Sequence, residues 1–274
     1  MIKKQLIARA DDLGSSNSAN LAVRQVVDGG VVRNVSVMAC GPFVEEAAQM
    51  LSHRKDICFG MHTTLNAEWN RIKWKPVGNV HREDGLVDEK GFFLPDPAFF
   101  LQTKPAVEQV MKEVEAQLER LCRLGFDIRY VDSHMFSEAC IGGMDEAMAE
   151  FARKKGLVDH MYFYRLLPRM QMLFEDLKKA EKELLAVPQG QYFIVVHPSL
   201  YTEEMLLTGN SGVSGEDVAR GRARETEIFS APELKRVLEQ AGFTCIRYDE
   251  AAGQKRMTVA ELQEEMRKAS ESEG

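Results

Sequence analysis

The stretch from residue 5 to residue 12, QLIARADD, predicts a buried β-strand that ends in two adjacent carboxylates. Its apolar first half is typical of a strand in a parallel sheet, which is covered on both faces. A helix is predicted for residues 18–28, because Ser16 or Asn17 can cap its first turn and two glycines end it. A strand followed at once by a helix indicates a parallel α/β fold.

The same alternation of apolar runs and amphipathic stretches continues along the chain. Further strands are predicted at residues 31–40, 57–62, 128–133, 160–164, 192–197 and 244–248. Further helices are predicted at residues 44–51, 107–124, 144–155, 169–186, 232–241 and 258–269. Residues 63–105 and 199–221 lack this periodicity, and we interpret them as an insertion over one face and as an irregular loop.

The length of 274 residues lies within the range of a single α/β barrel. There is no internal repeat and no low-complexity linker, so a single domain is predicted. It comprises the barrel in residues 1–250 and a helical extension and tail in residues 251–274. Residues 270–274 are predicted to be disordered.

Composition and charge exclude several classes of protein. The net charge of -7 argues against a nucleic-acid binder, which needs a basic surface. The five cysteines are scattered without a Cys-x-x-Cys pair, as expected for reduced thiols. The beginning of the chain does not resemble a signal peptide, and no apolar run approaches the ~18 residues of a membrane helix. The sequence therefore predicts a cytoplasmic protein with neither a membrane nor a nucleic-acid partner.

Polar side chains that could bind a metal or transfer protons follow four of the predicted strands. Asp11 and Asp12 end the first strand, and His62, His134 and His197 end three later ones. The carboxyl ends of barrel strands converge, so these groups are expected to share one site. Their equivalent positions are more informative than any single residue.

The acidic pair has a simpler interpretation as a turn or a helix cap. Ser16 and Asn17 already supply capping oxygens, however, and two adjacent buried carboxylates repel each other unless a cation lies nearby. Because neighbouring strand residues point to opposite faces, we expect only one of Asp11 and Asp12 to face a metal, with the other handling protons beside it.

One carboxylate and two imidazoles make a typical open site for Zn²⁺, Mn²⁺, Co²⁺ or Fe²⁺. Mg²⁺ is the second choice, because it prefers oxygen ligands. The remaining histidines, His53, His81 and His160, are interpreted as ordinary surface or hydrogen-bonded residues.

Four motifs together resemble the YdjC-like carbohydrate deacetylase family. They are ADDLG at residues 10–14, GMHTTL at 60–65, VDSH at 131–134 and VHP at 196–198, and the resemblance extends to about Glu250. It implies a distorted (β/α) TIM-like barrel of the glycoside hydrolase/deacetylase type. It also implies the removal of acetyl groups from N-acetylated sugars, such as chitooligosaccharides, with one divalent metal ion, for which the family makes Mg²⁺ an additional candidate.

The resemblance implies a role for each residue at the strand ends. Asp12, His62 and His134 would be the metal ligands, and Asp11 the general base. His197 would be a catalytic acid or an oxyanion partner.

Further positions match the family or depart from it. Arg165 lies where the family has a substrate-binding arginine, and Arg222 with Glu225 matches an Arg-x-x-Glu pair. Phe136 replaces a second histidine and is expected to form a wall of the substrate pocket, while Ser199 replaces a glycine. These departures favour a substrate other than a chitooligosaccharide.

The insertion at residues 63–105 is expected to fold over the mouth of the barrel and to influence substrate choice, with a homodimer as one possible context. Trp69 and Trp74 are predicted at the pocket rim, where they could stack on a sugar, although packing against the barrel is an equally good interpretation. The four phenylalanines are expected to pack the insertion onto the barrel or into an interface: Phe92, Phe93, Phe99 and Phe100.

Two other functions remain open at this point. A metal-dependent sugar isomerase or epimerase would use similar ligands, although such enzymes usually bind the metal with several acidic residues. A non-catalytic carbohydrate-binding relative is favoured only by Phe136.

Overall fold

The computed structural model describes residues 4–168, 172–175 and 177–271, and its strands form one parallel sheet. The described strands are β1 (Lys4–Leu13), β2 (Asn34–Val37), β3 (Cys58–Thr63), β4 (Ile128–Ser133), β5 (Val158–Asp159), β6 (Gln191–Val196) and β7 (Phe243–Cys245). The sheet order is β5-β4-β3-β2-β1-β6, and β7 pairs with the beginning of β1. This sheet is curled into a half-barrel, consistent with the distorted barrel that the sequence predicts.

Helices connect successive strands, as expected for parallel pairs. The described helices are α1 (Asn17–Asp28), α2 (Val44–Leu51), α3 (Phe100–Thr103), α4 (Val107–Arg123), α5 (Met144–Lys155), α6 (Met172–Glu175), α7 (Leu177–Ala186), α8 (Glu203–Leu206), α9 (Gly215–Ser230), α10 (Pro232–Gln240) and α11 (Val259–Glu271). The Ser16 hydroxyl accepts a hydrogen bond from the Ala19 amide and caps α1, as predicted. No described helix is long and apolar enough to cross a membrane.

Alternate residues of β1 face opposite sides of the sheet. Leu6 and Ala8 pack against the helices, whereas Ile7 belongs to a second apolar cluster on the concave face. Arg9 and Asp11 follow Ile7 at intervals of two and therefore extend the concave face toward the carboxyl end of the strand. The same periodicity directs the ends of β3, β4 and β6 into the concavity.

The strand predicted at residues 160–164 is wrong. β5 is shorter and earlier, at Val158–Asp159, and a 3₁₀ turn follows at His160–Tyr162. The Asp159 carboxylate accepts a hydrogen bond from the Met161 amide, which favours a turn over continued sheet pairing.

The irregular loop predicted at residues 199–221 is also wrong in its second half. The helix α9 begins at Gly215, because the Ser214 hydroxyl accepts a hydrogen bond from the Asp217 amide and caps the helix. Two glycines in the first two turns, Gly215 and Gly221, obscured the helical pattern. The second strand is shorter than predicted, and the start of the helix predicted at residues 169–186 lies outside the described residues at 169–171.

The insertion at residues 63–105 packs into the same apolar cluster as the helices. Phe93 and Phe100 are fully buried there, in agreement with the packing interpretation. Phe92 is half-buried under the Lys75 ammonium, and Phe99 is 42% exposed. Packing onto the barrel therefore accounts for two of the four rings fully.

Two side chains of helix α4 form hydrogen bonds with the backbone of the insertion. Gln117 accepts a hydrogen bond from the Thr64 amide and donates one to the Thr64 carbonyl, at 3.0 and 2.7 Å. Glu113 accepts from the amides of Val77 and Gly78 at 2.9 and 2.7 Å. Helix α4 therefore holds the insertion at Thr64, directly after β3, and again at Val77 and Gly78.

The C-terminal extension spans the open side of the half-barrel. The Met257 amide donates to the Met161 carbonyl, and the Gln191 side chain donates to the Ala252 carbonyl, both at 3.0 Å. Helix α11 places Val259 in the concave apolar cluster. Of the residues predicted to be disordered, 270 and 271 belong to α11, and 272–274 lie outside the described residues.

Candidate active site

The polar residues predicted at the strand ends surround one cavity of about 380 Å³ at the carboxyl edge of the sheet. Its lining includes all five of them: Asp11, Asp12, His62, His134 and His197. The site is therefore assembled from β1, β3, β4 and β6, as the convergence of parallel strands predicts.

Arg9 binds Asp11 on the concave face of β1. Its guanidinium donates to both oxygens of the Asp11 carboxylate, at 2.6 and 2.7 Å, and lies 3.0 Å from Asp132. Burial works against the charged form of Arg9, but Asp11 and Asp132 outweigh it and raise the pKa of Arg9 well above its usual value. This bidentate pair fixes the plane of the Asp11 carboxylate.

Asp12 faces the same cavity because its backbone departs from strand geometry. It has a φ of 66°, in the left-handed region, where the alternation of side chains along β1 is broken. Both carboxylates therefore line the cavity, with Asp12 toward the two imidazoles and Asp11 beside it on Arg9. Arg222 donates to Asp12 Oδ2 at 2.7 Å. Burial raises the pKa of Asp12, but Arg222 and His134 outweigh burial and hold it well below its usual range.

A carboxylate orients each of the two imidazoles. Asp132 lies 3.0 Å from Nδ1 of His62, and Glu68 lies 3.0 Å from Nε2 of His134. Because an ionised carboxylate only accepts, these nitrogens carry the protons, and the opposite nitrogens carry the lone pairs. Burial lowers the pKa of both histidines, but the carboxylates outweigh it: Asp132 and Asp11 raise the pKa of His62, and Glu68 and Asp12 raise that of His134 to about 10, so a metal ion competes with a proton for the opposite nitrogens.

The two lone pairs and one oxygen of Asp12 converge on a single point. Nε2 of His62 and Nδ1 of His134 are 3.2 Å apart, and each lies 3.6 Å from Asp12 Oδ1. This oxygen is buried and has no hydrogen-bond partner among the described residues. When both imidazoles are neutral, these three acceptors repel one another unless a cation, either a proton or a metal ion, lies between them. The residues present therefore fit a metal ion, and their mixed nitrogen and oxygen donors suit Zn²⁺, Mn²⁺, Co²⁺ or Fe²⁺ better than Mg²⁺.

His197 lines the cavity from the end of β6. Its backbone amide donates to the Glu225 carboxylate, so α9 fixes the chain where β6 ends. Arg222 and Glu225 are three residues apart on that helix and therefore lie on one face. The two residues hold Asp12 and His197 from the same side of the cavity.

Phe136 lines the cavity, as predicted, but it does not continue β4. A 3₁₀ turn begins at His134, and Met135 and Phe136 have φ values of 54° and 51°. Such values are uncommon for bulky residues and store strain. The Phe136 ring stacks on His160, at 6.3 Å between centroids, and His160 Nδ1 lies 2.7 Å from the Tyr164 hydroxyl. Burial lowers the pKa of His160 to about 4.

Two residues predicted to bind substrate lie elsewhere. Trp74 is 4% exposed, donates from its indole N–H to the Asn66 carbonyl at 2.6 Å, and packs edge-on against His134 rather than at the rim. Arg165 is exposed and stacks on Tyr192, away from the cavity, because it leads into a segment that pairs with β6. Of the two tryptophans, Trp69 is the one that lines the cavity; it is half-buried there, and Arg222 lies 5.8 Å from its ring.

Three further residues hold the site together. Arg9 and Asp132 could have been identified from the sequence, because each lies two positions before a predicted site residue, Asp11 and His134 respectively. Residues two positions apart along a strand share a face. Glu68 gives no such signal. It lies in an aperiodic segment, and only the folding of the insertion over β4 brings it to His134.

Comparisons with known proteins identify the family of this chain. The model of the family described as YdjC-like protein matches residues 5–240. A carbohydrate deacetylase of Thermoanaerobacter pseudethanolicus is 32% identical over 56% of this chain and 59% of its own length. A carbohydrate deacetylase of Enterococcus faecalis is 24% identical over 92% of this chain and 100% of its own.

A solved structure from Enterococcus faecalis V583, provisionally described as a cellobiose-phosphate cleavage protein, has the same fold. It superposes with a TM-score of 0.69 at 22% identity and covers 90% of this chain and 98% of its own. The matched residues of the family model include all four strand ends that line the cavity. The chain belongs to the YdjC-like family.

Proposed function

We propose that this protein is a metal-dependent hydrolase that removes acetyl groups from N-acetylated sugars. The observation that supports it best is the convergence of the unpartnered Asp12 Oδ1 with the lone pairs of His62 and His134, beside a second carboxylate, that of Asp11. The names of the relatives support the substrate class.

Asp12, His62 and His134 would hold one divalent metal ion. When bound, such an ion polarises a carbonyl and makes water acidic. Asp132 and Glu68 keep the two imidazoles in the tautomers that metal binding needs. Carboxylates outnumber guanidiniums around this point, so with neutral imidazoles a cation also relieves the excess negative charge: Asp11, Asp12, Glu68, Asp132 and Glu225 against Arg9 and Arg222.

Asp11 would accept the proton of the attacking water. Its two oxygens each accept one bond from Arg9, which leaves further lone pairs on both oxygens for the water. Because Arg9 fixes the carboxylate plane, the base needs little reorganisation before proton transfer.

His197 would donate a proton to the leaving amine. It lies on the neighbouring strand, and the pairing of Arg9 with Val195 puts the ends of β1 and β6 side by side. Asp11 and His197 therefore flank the cavity from adjacent strands, which suits a base and an acid that act on the two sides of one amide bond.

Acetate release from N-acetylglucosamine and from short chitooligosaccharides tests this proposal. The protein is stripped of metal and reloaded with Zn²⁺, Mn²⁺, Co²⁺ or Mg²⁺ in turn, and bound metal is measured in parallel. We expect acetate release only with metal and about one ion per chain. Metal binding without acetate release, but with interconversion of sugar isomers, would favour the isomerase alternative.

A further inference from the structure

One side of the active-site cavity carries, among the described residues, no polar side chain that is free to bond a ligand. It is formed by Phe136, Tyr164, Leu166, Phe193 and Val195, which we call the apolar wall. Its single polar atom, the Tyr164 hydroxyl, lies 2.7 Å from Nδ1 of the buried His160 and is therefore already bonded. A sugar hydroxyl placed against this wall would lose its hydrogen bonds to water without replacement.

The apolar wall begins directly below the reacting groups. In the register of β1 with β6, Phe193 lies beside Ile7, and Val195 lies beside Arg9. Two residues further along each strand on the same face are Asp11 and His197. A substrate amide held between these two groups therefore has the wall on its inner side.

The outer side of the cavity differs in chemistry. It carries Asn210 and Arg222 together with the half-buried Trp69, which suit a hydroxylated ring. Phe193 is 1% exposed and lies under the Arg9 guanidinium, 5.1 Å from its ring, so it backs the wall rather than forming its surface. The half-buried Phe136, Leu166 and Val195 form the accessible surface, and a group that contacts them is withdrawn from water. The two substituents of the amide, the sugar and the acyl group, thus face surfaces of opposite polarity.

We propose that the apolar wall is an acyl-chain subsite and that the preferred substrates carry N-acyl groups longer than acetyl. This inference rests on the proposed hydrolase function. The reaction stays balanced for any chain length. The oxygen of water bonds to the acyl carbon, the C–N bond breaks, Asp11 takes a proton of the water, and the amine nitrogen gains a proton from His197. The products are a carboxylic acid and an amine.

A series of N-acyl glucosamines and N-acyl chitobioses tests the subsite on the metal-loaded protein. Acetyl, propionyl, butyryl and hexanoyl derivatives are compared by amine release. We expect kcat/KM to rise about fourfold for each methylene up to butyryl, since each one that contacts the wall leaves water. A kcat/KM that falls steadily from acetyl would overturn the inference.

Binding measurements separate failure of the subsite from failure of the proposed function. Titration calorimetry of the same compounds with Asp11→Asn reports affinity without turnover. If no compound releases amine but affinity rises with chain length, the hydrolase proposal fails and the acyl subsite stands. Equal affinities along the series would contradict the subsite, whatever the activity.

Variants of Val195 test whether the preference for longer acyl chains arises at the apolar wall. Val195→Thr replaces one methyl group by a hydroxyl and nearly keeps the shape of the side chain. Val195→Phe fills the space in front of the apolar wall. Both should lower the butyryl-to-acetyl ratio of kcat/KM, the second by at least about tenfold. Leu185→Phe, on the exposed face of α7, is the matched control and should leave the ratio unchanged. An unchanged ratio in both Val195 variants would contradict the assignment.

Discussion

The curled sheet and the insertion at residues 63–105 serve the same cavity in different ways. The sheet presents its side chains from the ends of strands that are fixed by pairing with neighbouring strands. The insertion reaches the cavity with Glu68 and Trp69 from backbone that belongs to no strand or helix. The comparison indicates that the sheet holds the reacting groups, while the insertion orients one of them and forms part of the rim.

The largest effect is expected from removing a ligand that the sheet provides. His62→Ala should lower metal affinity by more than the ~10–100-fold that is typical of residues that only orient a ligand. Metal content after dialysis, with circular dichroism to check folding, measures it. His53→Ala, at an exposed position, is the matched control. Full metal content in a folded His62→Ala protein would break the ligand assignment.

Asp11→Asn should reduce kcat by about 10²–10⁴-fold and leave metal content nearly intact. Both oxygens of Asp11 accept hydrogen bonds from Arg9, and the proposed function assigns this carboxylate to proton transfer rather than to coordination. Single-turnover kinetics and metal analysis of the same preparation provide the two readouts. Parallel loss of metal and activity would show that the roles of Asp11 and Asp12 are assigned wrongly.

The two tryptophans of the insertion sharpen the comparison, because one is buried and the other lines the cavity. Trp74→Ala should lower the free energy of unfolding by ~3–5 kcal/mol, since it leaves a cavity behind His134 and removes the hydrogen bond to Asn66. Urea denaturation measures this loss.

Trp69→Ala is the control in the same segment. It should change the free energy of unfolding little and act mainly on KM, because the ring is half-buried at the cavity. If Trp69→Ala destabilised the protein as much as Trp74→Ala, the insertion would act as scaffold at both positions.

The smallest effect is expected from changing Glu68, the carboxylate of the insertion that contacts His134. Glu68→Gln should weaken metal binding by about 10–100-fold, because the amide no longer stabilises the His134 N–H as an ion does. Asp132→Asn makes the matched change at His62, on a strand, and competition with a chelator measures both. An unchanged affinity in Glu68→Gln alone would mean that the insertion only covers the site.

Much of the secondary structure could be predicted from local pattern. The helices α2 and α5 and the strand β4 have the predicted bounds, since their apolar periodicity is strong and caps or glycines flank them. Helix α9 was missed because glycines interrupt its first turns, and the strand at residues 160–164 was wrong because an Asp turn competes with sheet pairing.

The sequence by itself determined which strand ends carry chemistry, because side chains alternate with a period of two and parallel strands converge at their carboxyl ends. Only the tertiary structure decided how these side chains meet. The left-handed backbone of Asp12 turns it toward His62 and His134, against the alternation. The insertion buries Trp74 and brings Glu68 to His134. Both depend on contacts between residues distant in sequence, which local periodicity does not contain.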